Sequence, residues 1–352
     1  MTPSASEVLA PAAPSVPRLL ERCRDLVRPA LTEAVERLHP WLGEMAAYSF
    51  GWCEVGGAPV DASGGKGVRQ ALAVLGAEVA GVPGPSGVAA AVAVELVHTF
   101  SLLHDDIMDG DPMRRRRATA WKAYGTGPAV LAGDALFALA VETVAWTPGG
   151  PAGMRLLSAA LTDVVSGQAD NLLFAARPWS GPERVRPEEY RTMAERKTGA
   201  LLGCALSLGA ALGGAPPATT AALERVGRHA GTAFQIVDDV LGIWGDPAVT
   251  GKPVHGDLRE RKKTYPVLAA LDAPVPAARR LAALLESVDV PDEALARHAA
   301  ALVTEAGGRT AALAQARRHL AAVESGLAEL PLAGPAVDEL RTLLSFLVRR
   351  EL

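Results

Sequence analysis

Cysteine is scarce in this chain of 352 residues. Cys23, Cys53 and Cys204 are odd in number and form no C-x-x-C pair, so no disulfide framework is indicated, and a reducing cytoplasm is the expected setting. A basic excess is also missing. Lys+Arg number 35 against 39 Asp+Glu, a net charge of −4, which argues against nucleic acid as a main partner. The chain does not open on a basic segment followed by an apolar one, as a secretory leader would. Residues 1–17 are rich in Ala, Pro and Ser with Glu7 as their only charge, and are expected to form a disordered tail. No segment alternates apolar and polar residues as a half-buried strand does, and no solenoid repeat is present. Between Lys197 and Glu224 there is no charge at all. Length alone would allow a membrane span there. Gly203, Gly209, Gly213, Gly214 and the Pro216-Pro217 pair interrupt it, so the segment predicts a central helix buried in a bundle, with no transmembrane segment.

What the sequence has in plenty is helical pattern. Ala, Leu, Val, Arg and Glu recur at 3.6-residue spacing between Pro/Gly breaks, and predict an all-α fold. The expected helices are 18–48, 67–80, 86–109, 118–124, 128–146, 151–175, 187–213, 217–243, 262–272, 276–286, 292–305, 308–327 and 334–350. Together they would form one helical domain over 18–352, with Ser86 after Pro85 as an N-cap.

Two of these helices carry acids. Asp105 and Asp109 stand one turn apart, and Asp238-Asp239 lie in a second apolar run. Aspartates at i and i+4 on a solvated helix face need no ligand. Here the run Ala89 to Leu103 is apolar almost throughout, so the helix is buried and its terminal carboxylates need cations, the more so at a helix C-terminus. A metal-diphosphate site follows. Arg114 to Arg117 close behind the first cluster, with Lys66, Arg69 and Lys197, could hold anionic groups across a cleft. Gly64-Gly65 before Lys66 would permit close backbone approach to phosphate.

The whole set resembles the trans-polyprenyl diphosphate synthase family, the head-to-tail isoprenoid chain elongators, over about residues 45 to 270. The matching segments are Gly64-Gly65-Lys66-Gly67-Val68-Arg69, Glu95-Leu96-Val97-His98-Thr99 leading to Asp105-Asp106-Ile107-Met108-Asp109, Arg114-Arg115, Lys197-Thr198, Phe234 to Asp239, Gly251-Lys252-Pro253, and Asp257-Leu258 with Lys262. The resemblance implies the isoprenoid synthase type of bundle, about ten to thirteen helices around a central cavity. It also implies that Mg2+ is held by Asp105, Asp109 and Asp238, with Asp106 and Asp239 in support. Lys197, Lys252 and Arg114 would contact the allylic prenyl diphosphate, and Lys66, Arg69, His98 and Arg115 the isopentenyl diphosphate, which binds without metal. Gln235 and Thr198 would line the reaction centre, and Lys262 would close over it. A homodimer is implied as well.

Two positions depart from the family pattern. Gly67 stands where an arginine is usual, and Gly242 where the second acidic motif usually ends in aspartate; Asp246, two helical turns beyond Asp238, could compensate in part. An inactive regulatory subunit of a heteromeric synthase and a class I terpene cyclase are the rival readings. In the family, product length is read upstream of the first aspartate. Phe100 and Ser101, at i−5 and i−4 from Asp105, would form a partial floor, with Val97 or Leu96 one turn deeper. With no two-residue insertion in the first motif, this points to geranylgeranyl diphosphate, with farnesyl diphosphate as runner-up.

Overall fold

Proline sets the boundaries of the first helices. The computed structural model describes residues 15–60, 65–247, 254–287, 292–330 and 334–348. Helix α1 (Val16–Glu36) has Pro17 in its first turn, so it begins inside the segment expected to be a tail; residues 1–14 of that tail lie outside the described residues. The single helix expected over 18–48 is in fact two. Pro40 has no N–H and excludes the residue before it from the helical region, so His39 sits at φ −51°, ψ 133° and the chain restarts as α2 (Pro40–Ser49).

Helix α3 (Val68–Val79) precedes the helix of the first acidic cluster. Ser86, expected to cap that helix, lies instead within a 3-10 turn, Gly84–Gly87. Helix α4 (Val88–Met108) then starts with Gly87 at its N-cap. A two-stranded antiparallel hairpin follows, β1 (Met113–Arg114) and β2 (Arg117–Ala118), where no strand was expected. Its loop residues Arg115 and Arg116 both have positive φ, 52° and 65°, as a two-residue primed turn requires. Asn-Gly is the usual signal for such a turn, and a run of arginines carries none.

The rest is helical: α5 (Ala120–Tyr124), α6 (Thr126–Ala145), α7 (Gly150–Ala176), α8 (Pro187–Ala194), a π turn over Glu195–Gly199, α9 (Ala200–Leu212) and α10 (Pro217–Trp244). Then come α11 (Gly256–Arg259), α12 (Tyr265–Asp272), α13 (Pro276–Ser287), α14 (Glu293–Glu305), α15 (Gly308–Ala328) and α16 (Pro335–Val348). The helix expected to begin at 262 starts at Tyr265, because Thr264 is extended (φ −90°, ψ 157°) and proline opens the first turn.

The uncharged segment forms the centre of the bundle. Every residue from Ala200 to Ala210 on α9 is buried, with α3, α4, α7 and α10 packed around it. Among the described residues the helices long and apolar enough to cross a membrane are elsewhere, Gly84–Met108 and Thr126–Ala145. On the first, Ala90, Ala91, Ala93, Val94, Leu96 and Val97 are fully buried, which makes it a core helix by position. The second leaves Val130, Leu131 and Phe137 exposed. A smaller apolar cluster joins Ile243 of α10 to α12, α13 and α14, and backs the end of α10 that carries the second acidic pair. Since Leu206 is fully buried at the centre of α9, Leu206→Ala should cost about 2–5 kcal/mol, read as a lowered urea midpoint with an unchanged m-value.

Candidate active site

Asp105 lies in the last turn of α4 and Asp109 caps it, its backbone N–H donating to the Asp105 carbonyl at 2.8 Å. Burial pushes the Asp105 carboxyl up, as do Asp109 and Asp106, while Lys197 and Arg114 oppose the shift. The Lys197 Nζ stands 3.9 Å from Asp105 Oδ2. Asp106 is almost fully buried and receives Arg114 through Nε at 2.8 Å and Nη2 at 2.6 Å. Arg114 therefore grips the first motif itself and also lines the cleft next to it.

A hydrogen-bonded chain links the turn that carries Lys197 to the second acidic motif. Lys197 and Thr198 sit on the π turn, a local widening of the helix often found at functional sites. Thr198 Oγ1 donates to Gln235 Oε1 at 2.8 Å, and Gln235 Nε2 donates to Asp239 Oδ1 at 3.0 Å. The other Asp239 oxygen accepts from the Tyr190 hydroxyl at 2.6 Å and the Tyr265 N–H at 3.0 Å. Burial lifts the Asp239 carboxyl to about 7 against these bonds. Asp239 thus braces α8, α10 and α12, while its neighbour Asp238 faces the cleft.

That cleft, roughly 600 Å³, collects Lys66, Arg69, His98, Arg114, Arg115 and Asp238 from five elements and loops of the chain. Arg69 Nη1 donates to His98 Nε2 at 3.2 Å. The imidazole is held neutral, since burial and then Arg69, Arg115 and Arg114 push its pKa well below the ordinary value. The Arg69 Nε–H is buried with no hydrogen-bond partner among the described residues, an orphan donor that suits an anion. Glu95 shares the space, its carboxyl raised by burial and lowered in part by Arg69.

Asp105, Asp109 and Asp238 are hard oxygen donors, the ligand type Mg2+ takes. Among the described residues no three His, Cys, Asp or Glu side chains converge on one ion. Mg2+ fits such a set, since it is commonly held by one or two carboxylates with phosphate oxygens and water completing the octahedron.

The second motif's missing carboxylate has a structural counterpart. A Cβ at Gly242 would overlap the carboxylate of Asp257, which α11 places against α10. Asp246 cannot serve from the helix, because α10 ends at Trp244 and Asp246 is exposed beyond it. Lys262 ion-pairs with Glu260 at 2.5 Å, and its N–H donates to the Asp257 carbonyl at 2.8 Å. Gly64 and Lys252 lie outside the described residues.

The expected floor has two sides. Phe100 stacks edge-on to His104 at 4.9 Å and meets Phe137 of α6 at 5.5 Å. Ser101 Oγ turns back to the His98 carbonyl at 2.8 Å, and Val97 and Leu96 are fully buried. Sequence reasoning missed Tyr190, Phe137 and Arg24, which reach the site from elements without a motif, and gave no role to Glu95, which lies in the matched stretch of α4. It also missed Gln168 on α7, buried with both amide atoms lacking a partner among the described residues. Because Asp257 occupies the side-chain space at Gly242, Gly242→Asp should lower the thermal midpoint by about 4–8 °C or more and reduce turnover instead of restoring a motif. Calorimetry and a condensation assay would show it.

A family model described as Polyprenyl synthetase matches residues 59–303. A (2E,6E)-farnesyl diphosphate synthase of Mycobacterium tuberculosis is 41% identical over 339 residues, covering 95% of this chain and 93% of that protein. A geranylgeranyl diphosphate synthase of the same organism is 41% identical over 336 residues, with the same coverage of each. The crystal structure of polyprenyl synthetase from Streptomyces coelicolor A3(2) superposes with a TM-score of 0.88 at 46% identity, over 95% of this chain and all of that one. Matches of this extent, on a helical bundle whose cationic cleft holds Asp238, place the chain in the polyprenyl synthetase family, as a prenyltransferase making short-chain prenyl diphosphates.

Proposed function

We propose that this protein condenses an allylic prenyl diphosphate with isopentenyl diphosphate, using Mg2+, and that its main product is geranylgeranyl diphosphate. The observation that carries the reading is the single cleft lined by Lys66, Arg69, His98 and Arg115 beside Asp238, with Asp105 reached through Lys197. A terpene cyclase would need no such second cationic pocket.

The residues divide the work. Asp105, Asp109 and Asp238 would hold Mg2+, which supplies Lewis-acid stabilisation of charge on the departing diphosphate. Lys197 adds a cation on the same side, and the Thr198–Gln235–Asp239 chain fixes the polar wall near the reacting carbon. Lys66, Arg69 and Arg115 would orient the diphosphate of isopentenyl diphosphate, and His98, which accepts from Arg69 at Nε2, keeps its Nδ1–H as a donor. The isopentenyl double bond attacks the allylic carbon, and the proton then lost passes to the released diphosphate. Leu102, Leu202 and Phe234 line the same cleft and exclude water from the allylic cation.

Geranylgeranyl diphosphate is favoured over farnesyl diphosphate because Phe100, backed by Phe137 at 5.5 Å, has only the small Ser101 beside it and so makes a partial floor. Exposed Val130, Leu131 and Phe137 on α6 and Val165, Leu172 and Leu173 on α7 favour a homodimer formed through these helices. Three free, buried cysteines accord with a cytoplasmic setting.

Incubating the protein with an allylic diphosphate, with and without isopentenyl diphosphate, and weighing the products tests the reading; an inactive subunit would give none, and a cyclase would need only the first substrate. Asp105→Ala should cut turnover by roughly a hundredfold or more while circular dichroism stays unchanged, and full activity in excess chelator would refute metal dependence. Phe100→Ala should lengthen the main product by about one five-carbon unit, and adding Phe137→Ala should extend it further, because each truncation opens apolar volume a growing chain can fill. Mass spectrometry of the products decides it, and an unchanged distribution would place the floor at Val97 or Leu96.

A further inference from the structure

The cationic cleft has a wall that no motif marks. Arg24 and Arg28 lie one turn apart on α1 and point at the loop that carries Lys66. Arg24 Nη2 donates to the Gly65 carbonyl at 3.2 Å, and Arg24 lines the cleft together with Arg69 and Arg115. Arg28 is held back, stacked over the Trp52 ring at 4.0 Å.

The loop itself makes room for Arg24. Gly67 has φ +65°, and a Cβ built there would come within 4.0 Å of Arg24 Nε. Gln70 Oε1 would lie nearer, at 3.7 Å, and all these contacts are ordinary ones, so the guanidinium lies beside a position that has no side chain. A side chain at Gly67 would need a left-handed backbone, at a cost of about 1 kcal/mol or more, so the loop is built for a cation arriving from outside it.

The charges around the cleft leave such a cation a task. Arg114 is engaged by Asp106, and Arg69 shares its buried surroundings with Glu95. A diphosphate group with two or more negative charges needs further donors, and a guanidinium fork matches its oxygens.

We propose that Arg24 is a substrate-binding residue, reaching from α1 to hold the diphosphate of isopentenyl diphosphate in the place left open by Gly67. This rests on the pocket assignment made above. Arg24 then answers to one substrate only: its loss weakens the isopentenyl site and leaves the allylic site, served by Asp105, Asp109 and Lys197, unchanged.

The test is calorimetric titration of the full chain with isopentenyl diphosphate in chelator, alongside Michaelis constants for both substrates. Arg24→Gln should weaken isopentenyl diphosphate binding about tenfold or more, with the allylic constant within about twofold of wild type and an unchanged melting temperature. Arg24→Lys, which keeps the charge without the fork, should fall between. Arg69→Ala is the reference. If Arg69→Ala weakens binding and Arg24→Gln does not, this inference is wrong and the pocket assignment stands; if neither does, both fall. A parallel rise in both Michaelis constants with a drop in melting temperature would make Arg24 a prop for the Gly65 loop, and would also overturn the proposal. Should Arg24→Gln fail to fold, Arg24→Met, which keeps the apolar stem on α1, takes its place with the same expected loss.

Discussion

Carboxylates at the ends of buried helices need compensation, and the arrangement of this molecule follows from how each one receives it. Asp106 takes a guanidinium from the hairpin that follows its own helix. Asp239 takes three hydrogen bonds from α8, α10 and α12. Asp105 forms one ion pair among the described residues, with Lys197 at 3.9 Å, and its carboxyl is pushed up by burial. Asp106 and Asp239 are thus satisfied by short hydrogen bonds within the protein, whereas Asp105 meets its cation at a longer distance.

The π turn at Glu195–Gly199 is where the two halves of the site meet. It offers Lys197 to the α4 carboxylates and Thr198 to Gln235 on α10. Because a π turn accommodates an extra residue, a regular helix through this segment would shift the register of Lys197 and Thr198 relative to α9 by up to about 100°. The fully buried α9 that continues from it anchors the turn, so core packing and site geometry share one element.

Positive backbone φ gathers on the cationic side of the cleft. Arg115 and Arg116 turn the hairpin and Gly67 opens α3. Strain of this kind persists only where surrounding structure fixes it. Here the hairpin is fixed by Arg114 on Asp106 and by Arg117, which donates to the Tyr48 and Cys53 carbonyls at 3.2 and 2.7 Å. One arginine run therefore divides into two structural anchors with Arg115 between them, directed at the Gly65 loop, where a Cβ on Gly65 would come within 2.8 Å of its Nη1.

Much of this was legible in the residues. The 3.6-residue pattern marks the helices, the uncharged run marks the central one, and the spacing of Asp105, Asp109 and Asp238 with the basic segments marks the site, because local propensity and helix periodicity act over a few residues. Where local signals were ambiguous the reading failed: Pro40 divided one helix into two, Ser86 fell inside a 3-10 turn, and an arginine run formed a hairpin. Arg24, Tyr190, Phe137 and the fit of Asp257 into Gly242 carry no signal at all in their own neighbourhoods. They are brought to the site by packing between helices distant in sequence, and a contact across such a distance is decided by the shapes of both partners, which only the tertiary structure brings together.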